Sequence, residues 1–255
     1  MNPTMRFTFS PDAKREGCNV QALVRCLDLF CCAGGAAMGL HRAGFDVTGV
    51  DIAPQPRYPF KFIQGDALAQ DLTGFDFVWA SPPCQHYSGM SGCRDGLRET
   101  YPDLIGPVRD MLTAWGGPWI IENVMGAPLR DPVVLCGAMF GLKTYRHRQF
   151  ESNLTLTAPP HPAHTTPTSK AGHWRPGTLV SVAGNCAPVA LAREAMGMDW
   201  TNRRELAEAI PPAYSEHLGR QVMFYTANSV ITSTQSSTNN AKPSKGGRHD
   251  RRGAR

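Results

Sequence analysis

Apolar residues fall into short runs separated by small and polar turns along the first half of the chain. Ala22 to Phe30 is the first run. Small residues from Cys31 to Gly35 follow it, then a helix-like stretch from Ala36 to Ala43 and a second apolar run from Phe45 to Val50. The alternation continues through Phe60 to Ile63, Phe75 to Ala80 and Trp119 to Ile121, with helical periodicity from Leu104 to Trp115. Strand-length runs alternating with helix-length stretches predict an α/β fold with a parallel, doubly wound sheet and helices on both faces. Ligands of such sheets bind beyond the carboxyl ends of the strands, so the residues that close each run are the ones to read for chemistry.

Around this core, spanning residues 23–151, the pattern changes. Residues 1–22 are a polar N-terminal extension. Between Ser152 and Pro188 the periodicity dissolves into Pro, Thr, His and Gly, including Ala158-Pro-Pro-His-Pro-Ala-His164, which reads as a small, weakly regular insert. Helical spacing returns at Leu191 to Gly197 and Arg203 to Ile210. Pro211-Pro212 interrupts it, and Tyr214 to Tyr225 resembles a final helix, so residues 189–226 read as a return to the core. Residues 227–255 are dominated by Ser, Thr, Asn, Lys, Arg and Gly, a composition that predicts a disordered basic tail.

Composition changes this picture in three places. With 255 residues, 42% of them hydrophobic, the chain can bury one full core, and no apolar run approaches the roughly 20 residues of a membrane span. The start of the chain also lacks the apolar centre of a secretory signal, so the expected location is cytoplasmic, with no membrane partner. The net charge of +5 equals the tail's own excess of six Lys/Arg over one Asp, which leaves the body formally neutral. A nucleic-acid partner must therefore be drawn to the body by local clustering of charge. The eight cysteines (18, 26, 31, 32, 84, 93, 136, 186) show no C-x-x-C pair and no Cys/His ligand ladder. No zinc site, and no metal of any kind, is expected, and reduced thiols packed as small core residues account for most of them.

Four segments carry candidate chemistry. In Leu27-Asp-Leu-Phe-Cys-Cys-Ala-Gly-Gly-Ala-Ala-Met-Gly39, small residues let a helix begin close to a ligand and present free N–H groups. Asp51 and Asp66 close the second and third runs, where a carboxylate either accepts from ribose hydroxyls or caps a local turn. Trp79-Ala-Ser-Pro-Pro-Cys-Gln85 holds a thiol directly after a buried strand on a proline-stiffened backbone. Nucleophilic use of Cys84 requires surroundings that lower its pKa. Ile120-Ile-Glu-Asn-Val124 brings a carboxyl group to the same edge, and Glu122, if desolvated, can protonate a ring nitrogen. Finally, Tyr145-Arg-His-Arg-Gln-Phe-Glu151 sets Arg146 and Arg148 on one side of an extended segment, suited to a carbonyl oxygen or a phosphate.

In this order the segments resemble the cytosine-C5 DNA methyltransferases, whose signatures run Asp-Leu-Phe glycine loop, Pro-Cys-Gln, Glu-Asn-Val and Arg-x-Arg strand. The resemblance spans Leu27 to Glu151 and resumes near Arg193 to Gly219, with Glu208-Ala-Ile-Pro-Pro212 standing where the family's closing cofactor contact lies. It implies a Rossmann-like sheet that binds S-adenosylmethionine, a small target-recognition insert at 152–188, and a cytosine flipped out of double-stranded DNA by a monomer. Catalytic roles would fall to Cys84, Glu122, Arg146 and Arg148. Cofactor contacts would fall to Phe30, Ala33, Gly34, Gly35, Asp51, Ile52, Asp66 and Ala67, and substrate contacts to Pro83, Gln85 and Asn123. Two other readings stay open: a tRNA cytosine-C5 methyltransferase, because the same motifs serve either polymer, and a catalytically idle DNA-binding homologue.

Overall fold

The computed structural model describes residues 23–87, 101–186 and 188–238. The N-terminal extension, Cys18, Cys93 and the last seventeen residues of the expected tail lie outside them. Five parallel strands form the heart of the sheet: β1 (Arg25–Leu29), β2 (Asp46–Asp51), β3 (Lys61–Gln64), β4 (Phe77–Ala80) and β5 (Trp119–Asn123). Two more complete it, β6 (Val133–Leu135) and β7 (Arg148–Ser152), in the order β3-β2-β1-β4-β5-β7-β6. The expected doubly wound α/β sheet is therefore present. It departs from a purely parallel one because β7 runs antiparallel to both β5 and β6. That reversal has a direct consequence for chemistry. It sets the first residue of β7, Arg148, at the edge where the parallel strands end, with Asn123 opposite Gln149 and Glu122 opposite Phe150.

Alternation along the strands divides the core between the two faces. Cys26, Phe77, Trp79, Ile120 and Phe150 pack with α1 (Gly35–Ala43) and α5 (Pro212–Thr238). Leu27, Leu29, Val78, Ala80 and Ile121 pack with α2 (Ile105–Trp115) on the other face. Gly34 caps α1 at φ 82°, and α1 ends on Gly44 at φ 109°, a left-handed stop that a side chain would strain. Gly39 permits the close approach of α1 to α5, since a Cβ there would lie 2.1 Å from both the Pro212 carbonyl oxygen and Ser215 Oγ.

A third cluster joins Val180, Val182 and Cys186 to α3 (Val189–Met196) and α4 (Arg203–Glu208). The end of the expected insert and the return to the core thus share one apolar centre. Asn202 caps α4 through a reciprocal pair with Glu205. The Pro-Pro step does interrupt the helical pattern, since α4 stops at Glu208, and it also opens α5, with Pro212 at the first helical position, where its missing N–H costs nothing. The helix continues to Thr238, so the tail boundary drawn at residue 226 falls inside it. The polar composition misled there because no Pro or Gly stands between Tyr225 and Thr238 to end a helix. Among the described residues no helix is long and apolar enough to cross a membrane.

Candidate active site

A cavity of about 550 Å³ opens over the carboxyl edge of the sheet. Its floor comes from the ends of β1, β2, β4 and β5, and its wall from residues 207–210. After β4 the chain turns sharply: Ser81 N–H donates to the Leu29 carbonyl at 3.0 Å, and the next two residues are prolines with no N–H to offer. Asn123 secures this turn. Its side-chain amide donates to the Pro82 carbonyl at 2.9 Å, and its oxygen accepts from Val124 N–H at 2.9 Å. Asn123 is 1% exposed and does not line the cavity, so the expected substrate contact is instead the support of the loop that carries Cys84. Pro83, Cys84 and Gln85 do line it. Gln85 Oε1 is buried without a hydrogen-bond partner.

Glu122 lies across the same cavity, with Oε1 3.1 Å from Arg148 Nε in a nearly buried ion pair. Behind it, Trp79 Nε1 donates to Ser81 Oγ at 3.0 Å, and the Ser81 side chain hydrogen-bonds Glu122. The sequence reading did not single out Ser81; its place between a buried strand and the Pro-Pro pair was the available signal. Burial pushes the Glu122 carboxyl above the usual carboxylate range, against the pull of Arg148, Ser81 and Arg146. Burial and the Glu122 charge likewise push the Cys84 thiol up, with Arg148 and Arg146 opposing. The expectation that the loop lowers this thiol is corrected: enclosure and the neighbouring carboxylate outweigh the two guanidinium groups.

The two arginines part company. Arg146 has φ 35°, which breaks the extended alternation that would have set it beside Arg148. Its Nε donates to the Ala209 carbonyl at 2.8 Å and its Nη2 to the Ala207 carbonyl at 2.8 Å, and a further bond reaches the Val182 carbonyl. Burial and Arg148 pull its pKa down to about 9, so it stays charged at neutral pH. Arg146 does not line the cavity. It holds the 207–209 wall, and only Arg148 of the pair faces the site.

At the other end, the glycine loop takes positive φ at three alternate residues, with φ 59° at Phe30, 44° at Cys32 and 82° at Gly34. Asp51 Oδ2 accepts from Cys32 N–H and Oδ1 from Ala53 N–H, both at 3.0 Å, so this carboxylate binds the loop to the end of β2. Asp66 accepts from Leu68 N–H at 2.9 Å and caps a short 3-10 turn at 67–69. Both also line the cavity, together with Phe30, Gly35, Ile52 and Ala67. Ile52 is 75% exposed, a large apolar side chain left open at its rim. Ala33 and Gly34 do not line it. Ala33 is buried, with its carbonyl accepting from Trp200 Nε1 at 2.8 Å, and Gly34 packs against Tyr58 and Pro59.

Asp28 was missed, although an acidic residue inside the apolar Leu-Asp-Leu run was the sign of it. It is fully buried, lines the cavity, and leaves Oδ1 with no partner. Burial, reinforced by Asp51, raises its pKa well above the ordinary value. The Ala207 to Ile210 wall overlaps the segment from Glu208 that the resemblance set at the closing cofactor contact.

A second grouping lies away from this cavity. Cys136, His147, His161 and His164 bring one ligand-type atom each within 4.8 Å of one another. This grouping has no counterpart in the spacing of Cys and His along the chain. Spacing along the chain concealed it because the β6–β7 hairpin and the 158–164 segment supply the members from three separate stretches.

Residues 24–128 match the family model for C-5 cytosine-specific DNA methylases. The type II methyltransferase M.HgiCI of Herpetosiphon aurantiacus is 29% identical over 123 residues, covering 43% of this chain and 29% of the relative. The chain therefore spans well under half the length of that relative. Among solved structures, a prophage-encoded E. coli protein assigned as a DNA modification methyltransferase superposes with a TM-score of 0.54 at 16% identity, over 78% of this chain and 98% of its own. The S. pombe Dnmt2 methyltransferase superposes with a TM-score of 0.51 at 13% identity, over 80% and 99%. At such identities the superpositions speak for the fold alone, a Rossmann-like α/β sheet. The matched segment holds the glycine loop, the Pro-Cys-Gln turn and the Glu-Asn-Val strand end, so over these residues the chain is similar to the C-5 cytosine-specific DNA methylases.

Proposed function

We propose that this protein transfers a methyl group from S-adenosylmethionine to carbon 5 of cytosine in double-stranded DNA, with Cys84 as covalent nucleophile. One observation carries the reading: Cys84 and the Glu122–Arg148 pair share a cavity with the glycine loop and its acidic neighbours. S-adenosylmethionine fits the residues at the glycine-loop end. Asp51 and Asp66 keep lone pairs beyond their backbone bonds for ribose hydroxyls, and Phe30 and Ile52 offer apolar surface for a purine. The unpartnered Asp28 oxygen suits a cationic group. When bound, this cofactor supplies an electrophilic methyl carbon on a sulfonium.

The chain's own residues then act on the base. Nucleophilic attack at carbon 6 runs perpendicular to the ring, so the cytosine must leave the helical stack and enter the cavity. Cys84 begins as a thiol, because enclosure and Glu122 raise its pKa. Addition at carbon 6 forms the S–C6 bond while the thiol proton is passed, through Glu122, to ring nitrogen N3. The electron pair is thereby delivered to carbon 5, which becomes nucleophilic. Arg148 keeps Glu122 oriented and balances its charge when the proton has left. After methylation, loss of the carbon 5 proton to solvent water lets the S–C6 bond break with Cys84 leaving as the thiolate, and the N3 proton returns through Glu122 to restore the thiol. The unpartnered Gln85 oxygen stands ready to accept a hydrogen bond from the substrate. Residues 152–188, whose end packs against α3 and α4 through the third apolar cluster, supply the compact surface that reads the target.

The decisive experiment uses duplex DNA carrying 5-fluorocytosine, in which fluorine blocks the loss at carbon 5. Wild-type protein with S-adenosylmethionine should form a denaturation-resistant adduct, and Cys84→Ala should form none. Parallel incubation of labelled cofactor with duplex DNA and with tRNA should label the DNA. Label on tRNA alone would replace DNA by RNA as the substrate, and label on neither would leave an idle homologue.

A further inference from the structure

We propose that Cys136, His147, His161 and His164 form a tetrahedral binding site for a divalent transition ion, with Zn²⁺ the best match to the donors. Four ligand-type atoms from three stretches of chain lie within 4.8 Å of one another. Cys136 Sγ is 3.3 Å from His164 Nε2, and His147 Nε2 is 3.2 Å from His161 Nε2. Around a tetrahedral zinc with ordinary bond lengths, sulfur and nitrogen ligands stand about 3.6 Å apart and two nitrogens about 3.3 Å apart. Both observed separations fall within a few tenths of an ångström of these values. The three imidazoles surround a common point, with ring centres 5.4 Å (His147–His161), 5.1 Å (His147–His164) and 4.9 Å (His161–His164) apart. The fully buried Cys136 closes the fourth side.

Surface histidines that merely stack would not converge their Nε2 atoms with a thiol. One thiolate with three imidazoles is a donor set that favours zinc over the oxygen-seeking Mg²⁺ and Ca²⁺. Four protein ligands leave no open position, so the ion is structural and not a Lewis acid for the reaction. The surroundings agree. The Tyr145 ring stacks on His164 at 3.6 Å and 10°, and its hydroxyl donates to the Thr166 carbonyl at 2.8 Å and accepts from Thr166 N–H at 3.2 Å. That arrangement fixes the orientation of one ligand ring, as outer contacts of metal sites do. The ion pins the 161–164 segment to the hairpin at His147, between Arg146, which holds the cavity wall, and Arg148, which orients Glu122. This inference is independent of the methyl-transfer reading.

The test is metal loading of the full chain, stripped with a chelator and then titrated with Zn²⁺ and with Co²⁺. About one ion per chain should bind, and the Co²⁺ form should show tetrahedral ligand-field bands with a thiolate-to-metal charge-transfer band. Cys136→Ser should lose the charge-transfer band, and His161→Ala, at an exposed position, should weaken Zn²⁺ affinity by at least about tenfold. Absence of binding by wild type, a Co²⁺ spectrum without the thiolate band, or Zn²⁺ affinity unchanged in His161→Ala would overturn the proposal. The wild-type Co²⁺ spectrum decides the matter even if a variant does not fold.

Discussion

Arg148 Nε lies 3.1 Å from Glu122 Oε1, joining the first residue of an antiparallel strand to the penultimate residue of a parallel one. The pair exists only because β7 reverses direction beside β5, and it sets the charge state of the cavity in which Cys84 stands.

The first expectation concerns that thiol. Its pKa is raised by burial and by Glu122 and lowered by Arg148, so the thiolate is scarce at neutral pH and grows as pH rises. Peptide-resolved labelling of Cys84 by iodoacetamide should show a pH midpoint above the roughly 8.5 of a free thiol. Glu122→Gln removes a raising charge and should shift the midpoint down, whereas Arg148→Gln should shift it up. A midpoint unmoved by either change would mean that the pair does not govern the thiol.

Glu122→Gln should nonetheless be a poor enzyme. The thiolate becomes easier to form, but in the proposed mechanism the group that passes a proton to N3 is gone, and general acid catalysis contributes about 10²–10⁴-fold. Single-turnover methylation should slow by that order while cofactor affinity, measured by calorimetry, holds steady, because the adenosine end of the cavity is untouched. Equal loss of cofactor binding would contradict the assigned role.

Arg146 is a positioning residue, and its substitution should separate affinity from chemistry. Its guanidinium spans the carbonyls of Ala207, Ala209 and Val182, a fork that a single ammonium cannot reproduce. Arg146→Lys should loosen the 207–210 wall and raise the KM for S-adenosylmethionine more than it lowers kcat. Iodoacetamide labelling of Cys84 provides the control: it should move less in this variant than in Arg148→Gln.

Why Arg148 was legible in the sequence and Arg146 was misread follows from what local patterns encode. The strand ends, the glycine turn and the Pro-Pro-Cys step are short-range features, so Cys84, Glu122, Asp51 and Asp66 were placed at the right edge from periodicity alone. The left-handed φ at Arg146 and the carbonyls that claim it come from residues 36 to 63 positions away, which no window along the chain contains. Asn123 failed for the same reason, since Pro82 lies 41 positions before it. The three-residue strand β6 is too short for alternation to register. The Cys136 and histidine cluster is assembled by the hairpin and not by spacing.

Gly39→Ala weighs helix propensity against space. Alanine favours an α-helix over glycine by about 1 kcal/mol. Here the added Cβ would lie 2.1 Å from a backbone oxygen of Pro212 and from Ser215 Oγ, so α5 must move. Overpacking of a closed interface costs about 1–3 kcal/mol, and contact with backbone puts this site at the upper end. The variant should therefore melt at a lower temperature than wild type by circular dichroism. A higher melting temperature would show that α5 yields freely.

The buried Arg109–Glu151 pair, which does not line the cavity, offers a final test, of stability. Arg109 gives Nε and Nη2 to the two carboxylate oxygens at 2.6 and 2.7 Å and also reaches the Pro128 carbonyl at 3.0 Å, while Arg130 N–H donates to Glu151 at 2.8 Å. Side-chain exposures of 10% and 5% leave little solvent to replace a lost partner. Arg109→Met strands the Glu151 charge with one backbone donor, and breaking such a pair costs about 3–5 kcal/mol. Arg109→Lys restores the charge but not the two-pronged geometry or the bridge to Pro128, so it should recover only part of the loss. Urea unfolding should then rank wild type above Arg109→Lys and Arg109→Met last. Equal midpoints for the two variants would assign the stabilisation to guanidinium geometry alone, and a wild-type midpoint for Arg109→Met would remove the pair from any account of stability.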